Sequence, residues 1–449
     1  MTRGFFALAL VWAMAAAPAA RQTAPLEVPY AEFTLANGLR VVLHRDTSVP
    51  VVAVNVWYHV GSAHEKPGRT GFAHLFEHLM FEGSKHVPEG AFDEWLEAAG
   101  ASNNGSTTND RTNYYIDGPS GALELMLFLE SDRMQYLLDT MTPAVVDGQR
   151  DVVKNERRQS YENAPYGRAF LELSALLYPP GHPYHWPVIG SMEDLSAASY
   201  EDVVEFFKTY YRPNNASLVI AGDIDLAATR AMVEKWFGRI PRGPDPPPLA
   251  AQAVRLADVK RSAMTDKVQL PRLYLAWHTP PAYAPGDAAM DVVSELLAGG
   301  KNSRLYRRLV YDLQIAQDVF AGQQSRALGS VFTVAATARP GRTLDEIRTV
   351  IDEEIGRLAA TPPDARELAR ARNKIEASFY RRMERVGGFG GKADQLNAYL
   401  VQTGTPDYFE EDLSRFRALS PVDIQSAVRR FLPLDRRVEL AVTPEGIQR

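Results

Sequence analysis

The chain has 449 residues, too many for one ordinary hydrophobic core, so two or more domains are expected. Its 45% hydrophobic and 23% charged content matches a soluble globular protein. A net charge of -6 without basic-aromatic clusters argues against a nucleic-acid partner, and the absence of cysteine excludes disulfides, thiolate metal sites and a cysteine nucleophile.

At the N-terminus, Arg3 precedes an apolar run from Phe5 to Ala17 that is too short to span a bilayer. Ala17-Pro18-Ala19 offers a small-x-small cleavage site, and Ala15-Ala16-Ala17 is a close rival. Residues 1–20 therefore read as a secretory signal cleaved near Ala19 or Ala20, with a membrane anchor as the competing reading. No later segment approaches the ~18 unbroken apolar residues of a spanning helix, so a periplasmic protein without a stable membrane anchor is expected.

Phe33 to His44, with its Asn37-Gly38 turn, and Val49 to Gly61 read as two strands of a hairpin-like start. A helix is predicted from Thr70 to Glu82, closed by Gly83, and a shorter amphipathic one from Phe92 to Ala99. Asn103 to Tyr115 reads as one polar strand, followed by long helices over Leu123 to Leu138 and Pro143 to Glu162. Gly-Pro-Asp-Pro-Pro-Pro at 243–248 excludes a helix or inner strand and reads as a linker, with a surface loop as the alternative. After it the plan repeats, with a strand at Leu273 to His278 and a helix at Asp287 to Leu297 before Gly299-Gly300. Laying Gly83 over Gly299 puts Met290, Val293 and Ser294 where His74, Glu77 and His78 stand. The expected division is a lobe over 21–240, a Pro-rich linker over 241–256 and a second lobe over 257–449. A long helix is predicted from Pro363 to Arg385, and the glycine-rich run 387–391 reads as a flexible joint.

Chemistry concentrates in His74-Leu75-Phe76-Glu77-His78. Residues at i, i+3 and i+4 share one helix face, so two imidazoles can hold a divalent metal with a carboxylate beside its bound water. This H-x-x-E-H order is the inverted form of the zinc-protease helix motif. A catalytic zinc takes three protein ligands and leaves one position open. Glu156 is a candidate for the third, against the plain reading of an Arg-flanked, solvated helix glutamate. A structural zinc site would need a fourth protein ligand and leave Glu77 idle. His182 and His185, split by Pro183, read as structural or substrate-adjacent.

The run Gly71-Phe72-Ala73-His74-Leu75-Phe76-Glu77-His78-Leu79-Met80-Phe81-Glu82-Gly83-Ser84 resembles the active-site helix of the pitrilysin/insulinase family, in the branch typified by mitochondrial processing peptidase. Asn37 to Leu43, Asp110 to Tyr115 and Leu129 to Met134 are similar too. The resemblance implies His74, His78 and Glu156 as the ligands of one Zn2+ and Glu77 as the catalytic base. It implies an α+β fold of two similar lobes, each a mainly antiparallel sheet packed with helices, forming a clamshell. It also implies that Asn104, Gly105, Ser106 and Thr107 form an edge strand that binds peptide through main-chain bonds, a plain polar loop being the alternative.

Two departures qualify this. Gln149 stands where many relatives carry a glutamate two helical turns before the zinc glutamate, on the same face, and a neutral amide there can orient a ligand without supplying charge. Val310 and Gln317 stand where active single-chain relatives carry an Arg and a Tyr, and neither reproduces the hydrogen bonds expected from that pair to substrate and the oxyanion. The expected protein is thus a zinc endopeptidase acting on peptides or unfolded segments beside a homologous, zinc-free partner chain, with a homodimer as the alternative. The rival is a non-catalytic peptide-binding or structural homologue. A zinc hydrolase of non-peptide substrates is a third reading.

Overall fold

The computed structural model describes residues 26–251 and 253–446, so the expected signal segment, residues 1–20, lies outside the described residues. The first sheet has the order β1-β2-β6-β3-β5-β4. Its strands are β1 (Ala31–Thr34), β2 (Arg40–Arg45), β3 (Val51–Tyr58), β4 (Ser102–Thr107), β5 (Thr112–Pro119) and β6 (Ala216–Gly222). Only β2 and β6 pair in parallel. The second sheet runs β7-β11-β8-β10-β9, from β7 (Lys260–Asp266), β8 (Arg272–Thr279), β9 (Ala316–Gln324), β10 (Ser330–Ala338) and β11 (Val438–Pro444). Its one parallel pair, β7 with β11, matches β2 with β6 in place and sense. The second sheet therefore repeats the first without a counterpart of β1, and the expected α+β fold of two similar lobes is present.

Three sequence expectations change. The opening hairpin is β1 with β2, and β3 pairs with β5 and β6 instead of β2. The strand β6 is buried along its whole length, which suits an inner position between β2 and β3. The polar stretch from Asn103 to Tyr115 is two strands, because Thr108 to Arg111 forms a turn in which Thr108 N donates to Arg111 O at 2.8 Å. The motif helix is shorter than expected, Phe72–Leu79, and its chain leaves through bonds from Phe81 N to His78 O and from Glu82 N to Leu79 O. Residues 241–250 form neither helix nor strand.

Each sheet has one face on its own half's helices and the other on a helix from the opposite half. Leu173 and Leu177, on the helix Gly167–Leu177, pack with Tyr274, Ala276, Val331 and Leu440 of the second sheet. Leu396, Tyr399 and Leu400, on the helix Lys392–Thr403, pack on Val42, Ala53, Val219 and Ala221 of the first. Asp394 anchors this second crossing. Its carboxylate is 9% exposed and accepts from Trp57 Nε1 at 2.9 Å, Asn113 Nδ2 at 3.1 Å and Gly390 N at 2.8 Å. The glycine run 387–391 is consequently packed on the first sheet, and a Cβ at Gly387 would fall 1.8 Å from Asp117 Oδ1. Asp394→Ala leaves a buried indole and a buried amide unpaired, so it is expected to cost about 3 kcal/mol in a denaturant titration. A loss below about 1 kcal/mol would remove Asp394 from its anchoring role.

Candidate metal centre

The motif helix buries Phe72, Ala73, Leu75, Phe76 and Leu79 in the first core, which turns His74, Glu77 and His78 to the opposite, half-buried face. Gly71 opens the helix at φ 89°, where a Cβ would lie 2.9 Å from Ile189 O, so glycine is required there. The free N–H groups of the first turn go to a buried carboxylate: Gly71 N donates to Glu65 Oε2 at 2.9 Å and Ala73 N to Oε1 at 2.8 Å. Burial pushes the Glu65 carboxyl up to about 8, against the pull of these donors. At the other end Tyr114 donates its hydroxyl to Phe76 O at 3.1 Å.

Glu156 comes from the helix Pro143–Arg157, whose start is set by Thr142, accepting from Val145 N, and by Pro143 in the first turn. Val153, one turn earlier, is fully buried and holds that face toward the motif helix. Glu156 Oε2 thereby lies 3.6 Å from His74 Nε2 and 3.3 Å from His78 Nε2. One ligand atom from each of the three residues lies within 4.8 Å of the others, the one such group of three among the described residues. Burial lowers the His74 imidazole to about 4, which keeps it neutral and able to act as a ligand. The hydrogen bond from His78 is the largest of the effects that hold the Glu156 carboxyl below its ordinary value. His74 Nδ1 is buried and has no hydrogen-bond partner among the described residues.

The expected substrate residues lie on β4, at the open edge of the first sheet. Thr107 turns toward the motif helix and donates Oγ1–H to Glu77 Oε2 at 2.7 Å. A Cβ on Gly105 would lie 3.1 Å from Glu77 Cγ, so this strand runs against the carboxylate. Ser106 is bound by Arg111, whose Nη1 reaches its oxygens at 2.6 and 2.9 Å, and Asn104 Oδ1 accepts from Gly105 N. Burial pushes the Glu77 carboxyl upward, opposed first by Thr107 and then by His78. Gln149 does not reach a ligand: its amide donates to Glu82 Oε1 at 2.5 Å. His182 stacks on Tyr178 and His185 Nδ1 lies 2.8 Å from Tyr178 O, and both stand outside the metal-ligand group.

The second half carries a helix in the matching place, Asp287–Ala298, with Met290 and Val293 buried in its own core. Its outer face holds a Lys374–Glu295 ion pair at 2.7 Å in place of a ligand set. Val310 packs partly buried against the second core, and Gln317 is exposed on β9. Sequence reasoning missed Glu65, because its role depends on a loop folding back over the helix start. It also missed the bond from Thr107 to Glu77, which joins residues on separate elements.

Comparison with known proteins places these features. The model of the insulinase family, peptidase family M16, matches residues 40–178, and the model described as the peptidase M16 inactive domain matches residues 197–375. The zinc protease PqqE of Helicobacter pylori is 30% identical over 84% of this chain and 85% of its own. A probable mitochondrial-processing peptidase subunit beta of Arabidopsis thaliana is 23% identical over 89% of this chain and 75% of its own. The crystal structure of a protease from Helicobacter pylori superposes with a TM-score of 0.87 at 26% identity, covering 94% of this chain and all of that one. Among the described residues no helix is long and apolar enough to cross a membrane. With both halves matched and the ligand group in its first half, the chain belongs to the insulinase family, peptidase family M16.

Proposed function

We propose that the chain is a zinc-dependent endopeptidase that cleaves peptides or unfolded segments. The observation that carries this is the convergence of His74, His78 and Glu156, with Glu77 on the same helix face held by Thr107. Two neutral-capable nitrogens and one carboxylate make a donor set suited to zinc with a position left open, so His74, His78 and Glu156 are assigned as ligands. Zinc bound there supplies a water of lowered pKa and a Lewis acid for the scissile carbonyl. Glu77 takes the water's proton and passes it to the leaving amine. The open edge of β4, with Asn104, Gly105 and Ser106, receives the peptide as an added strand. Thr107 keeps the Glu77 carboxylate aimed while the peptide is in place.

The residues at Val310 and Gln317 support a second part of the proposal: a homologous zinc-free chain supplies the Arg and Tyr, with a second copy of this chain as the alternative partner. The apolar run at 5–17 supports export to a periplasm. The match to an inactive-domain model, residues 197–375, favours a non-catalytic reading only for the half without ligands, since it includes neither the motif nor Glu156. The test is hydrolysis of an unstructured peptide by the purified chain, alone and with homologues bearing the Arg/Tyr pair. Equimolar zinc, chelator-sensitive cleavage and a gain of at least tenfold on adding the partner are expected. Full activity from the chain alone overturns the partner requirement, and zinc binding without cleavage in any mixture overturns the peptidase.

A further inference from the structure

The edge strand β4 has two faces. Gly105 and Thr107 turn toward Glu77, on the metal side. Ser106 turns the other way, where its hydroxyl donates to Asn113 Oδ1 at 2.6 Å. Asn104 shares this second face, is exposed, and pairs across the sheet with half-buried Tyr115. Successive side chains of a strand point to opposite faces, so alternate residues of a peptide added to β4 point away from the metal.

The second half supplies what those residues meet. Its glycine-rich run 387–391 lies on this face as a fixed loop. Lys392 N donates to Arg385 O at 2.8 Å, Ala393 N to Val386 O at 3.0 Å and Gly391 N to Gly388 O at 3.1 Å. Gly390 N is held by the Asp394 carboxylate, and Gly387 leaves no room for a side chain beside Asp117. Gly388 and Gly390 have φ of 72° and 71°, a conformation that favours glycine. Between these two glycines stands Phe389, which is 39% exposed and takes no part in the core that Val386 enters. Its carbonyl accepts from Arg385 Nη2 at 3.0 Å, and its ring meets Tyr115 edge to face with centroids 4.8 Å apart. The loop thus holds an exposed aromatic ring against the residue that pairs with Asn104.

We propose that Phe389 and Tyr115 form a subsite that selects a bulky aromatic side chain of the bound peptide, one that points away from the metal. This rests on the reading of β4 as a peptide-binding edge. The incoming ring extends the edge-to-face pair and covers the exposed part of Phe389, passing over the short polar side chains of Asn104 and Ser106. The half without metal ligands thereby takes part in substrate choice at the half that carries them.

The test uses the full, zinc-loaded chain carrying Glu77→Gln, so that peptide is not consumed during calorimetric titration. The ligands are unstructured Ala/Ser peptides with a single Phe moved stepwise along the sequence, and the Phe-free parent. Phe at one position, or at positions two apart, is expected to tighten binding about tenfold over the parent. Adding Phe389→Ala should remove that gain and leave the parent's affinity within about twofold, whereas Phe389→Tyr should keep the gain. A ring needed only for folding would weaken the parent as well. No gain at any position, equal gains at neighbouring positions, a gain that survives Phe389→Ala, or joint loss of parent and Phe peptide in that variant overturns the subsite. Hydrolysis of the same peptides by the chain with Glu77 intact, partner present, is read separately. Phe389-dependent binding without cleavage overturns the peptidase and leaves the subsite, and cleavage without Phe389-dependent selection does the reverse.

Discussion

Glu77→Gln is expected to leave equimolar zinc in place and to lower peptide hydrolysis about 10²- to 10⁴-fold, the range supplied by a positioned general base. The amide keeps the shape of the carboxylate and can still accept from Thr107, whose Oγ1 lies 2.7 Å from Glu77 Oε2. His74, His78 and Glu156 are untouched, so the ligand group within 4.8 Å should persist. What the variant loses is the ability to accept a proton from water. Metal analysis alongside kcat, measured with the partner chain present, separates the two roles. Unchanged turnover with full zinc would refute the base assignment, and loss of zinc would mean that Glu77 supports the metal instead.

The largest effect on stability is expected behind the motif helix. Arg133 is 2% exposed, and its guanidinium bonds Glu130 twice, at 3.0 and 2.5 Å. The same group lies 4.4 Å from the centre of the Tyr114 ring and 4.6 Å from that of Phe92. Burial pushes the Glu130 carboxyl upward and Arg133 pulls it back, so each charge is tolerated because of the other. Glu130→Ala strands a buried guanidinium among aromatic rings and is expected to cost about 3–5 kcal/mol. Replacing both residues with Met should cost less, because no charge is left without a partner. Denaturant titration of both variants checks this. A Glu130→Ala cost below about 1 kcal/mol, or a double variant worse than the single, would show that the pair is not what holds this region. Arg133 Nη1 also reaches Met80 O at 3.5 Å, just past the motif helix, so Glu130→Ala should lower zinc content as well.

The legible and illegible parts of this site differ in the range of the interactions behind them. The face shared by His74, Glu77 and His78 follows from helix periodicity, which is local. Glu156 could only be a candidate from its own surroundings, because nothing between residues 78 and 156 records that two helices meet. The resemblance supplied that pairing, and the distances of 3.3 and 3.6 Å now give it geometry. Thr107 was readable as part of an edge strand, but not as the donor to Glu77. Gln149 was placed on the correct helix, yet its amide goes to Glu82, since rotamer and neighbour decide which acceptor a side chain finds.

The sequence by itself determined that His74, Glu77 and His78 share one helix face, that the plan of the chain repeats in two halves, and that the second half lacks those residues. These rest on spacing within single elements, where 3.6-residue and two-residue periods act directly. Only the tertiary structure decided that β6 enters between β2 and β3, that Glu65 caps the start of the motif helix, and that each half lends a helix to the other's sheet. Those outcomes join residues as far apart as Trp57 and Asp394, and they depend on which buried surfaces and unpaired polar groups meet when the whole chain closes.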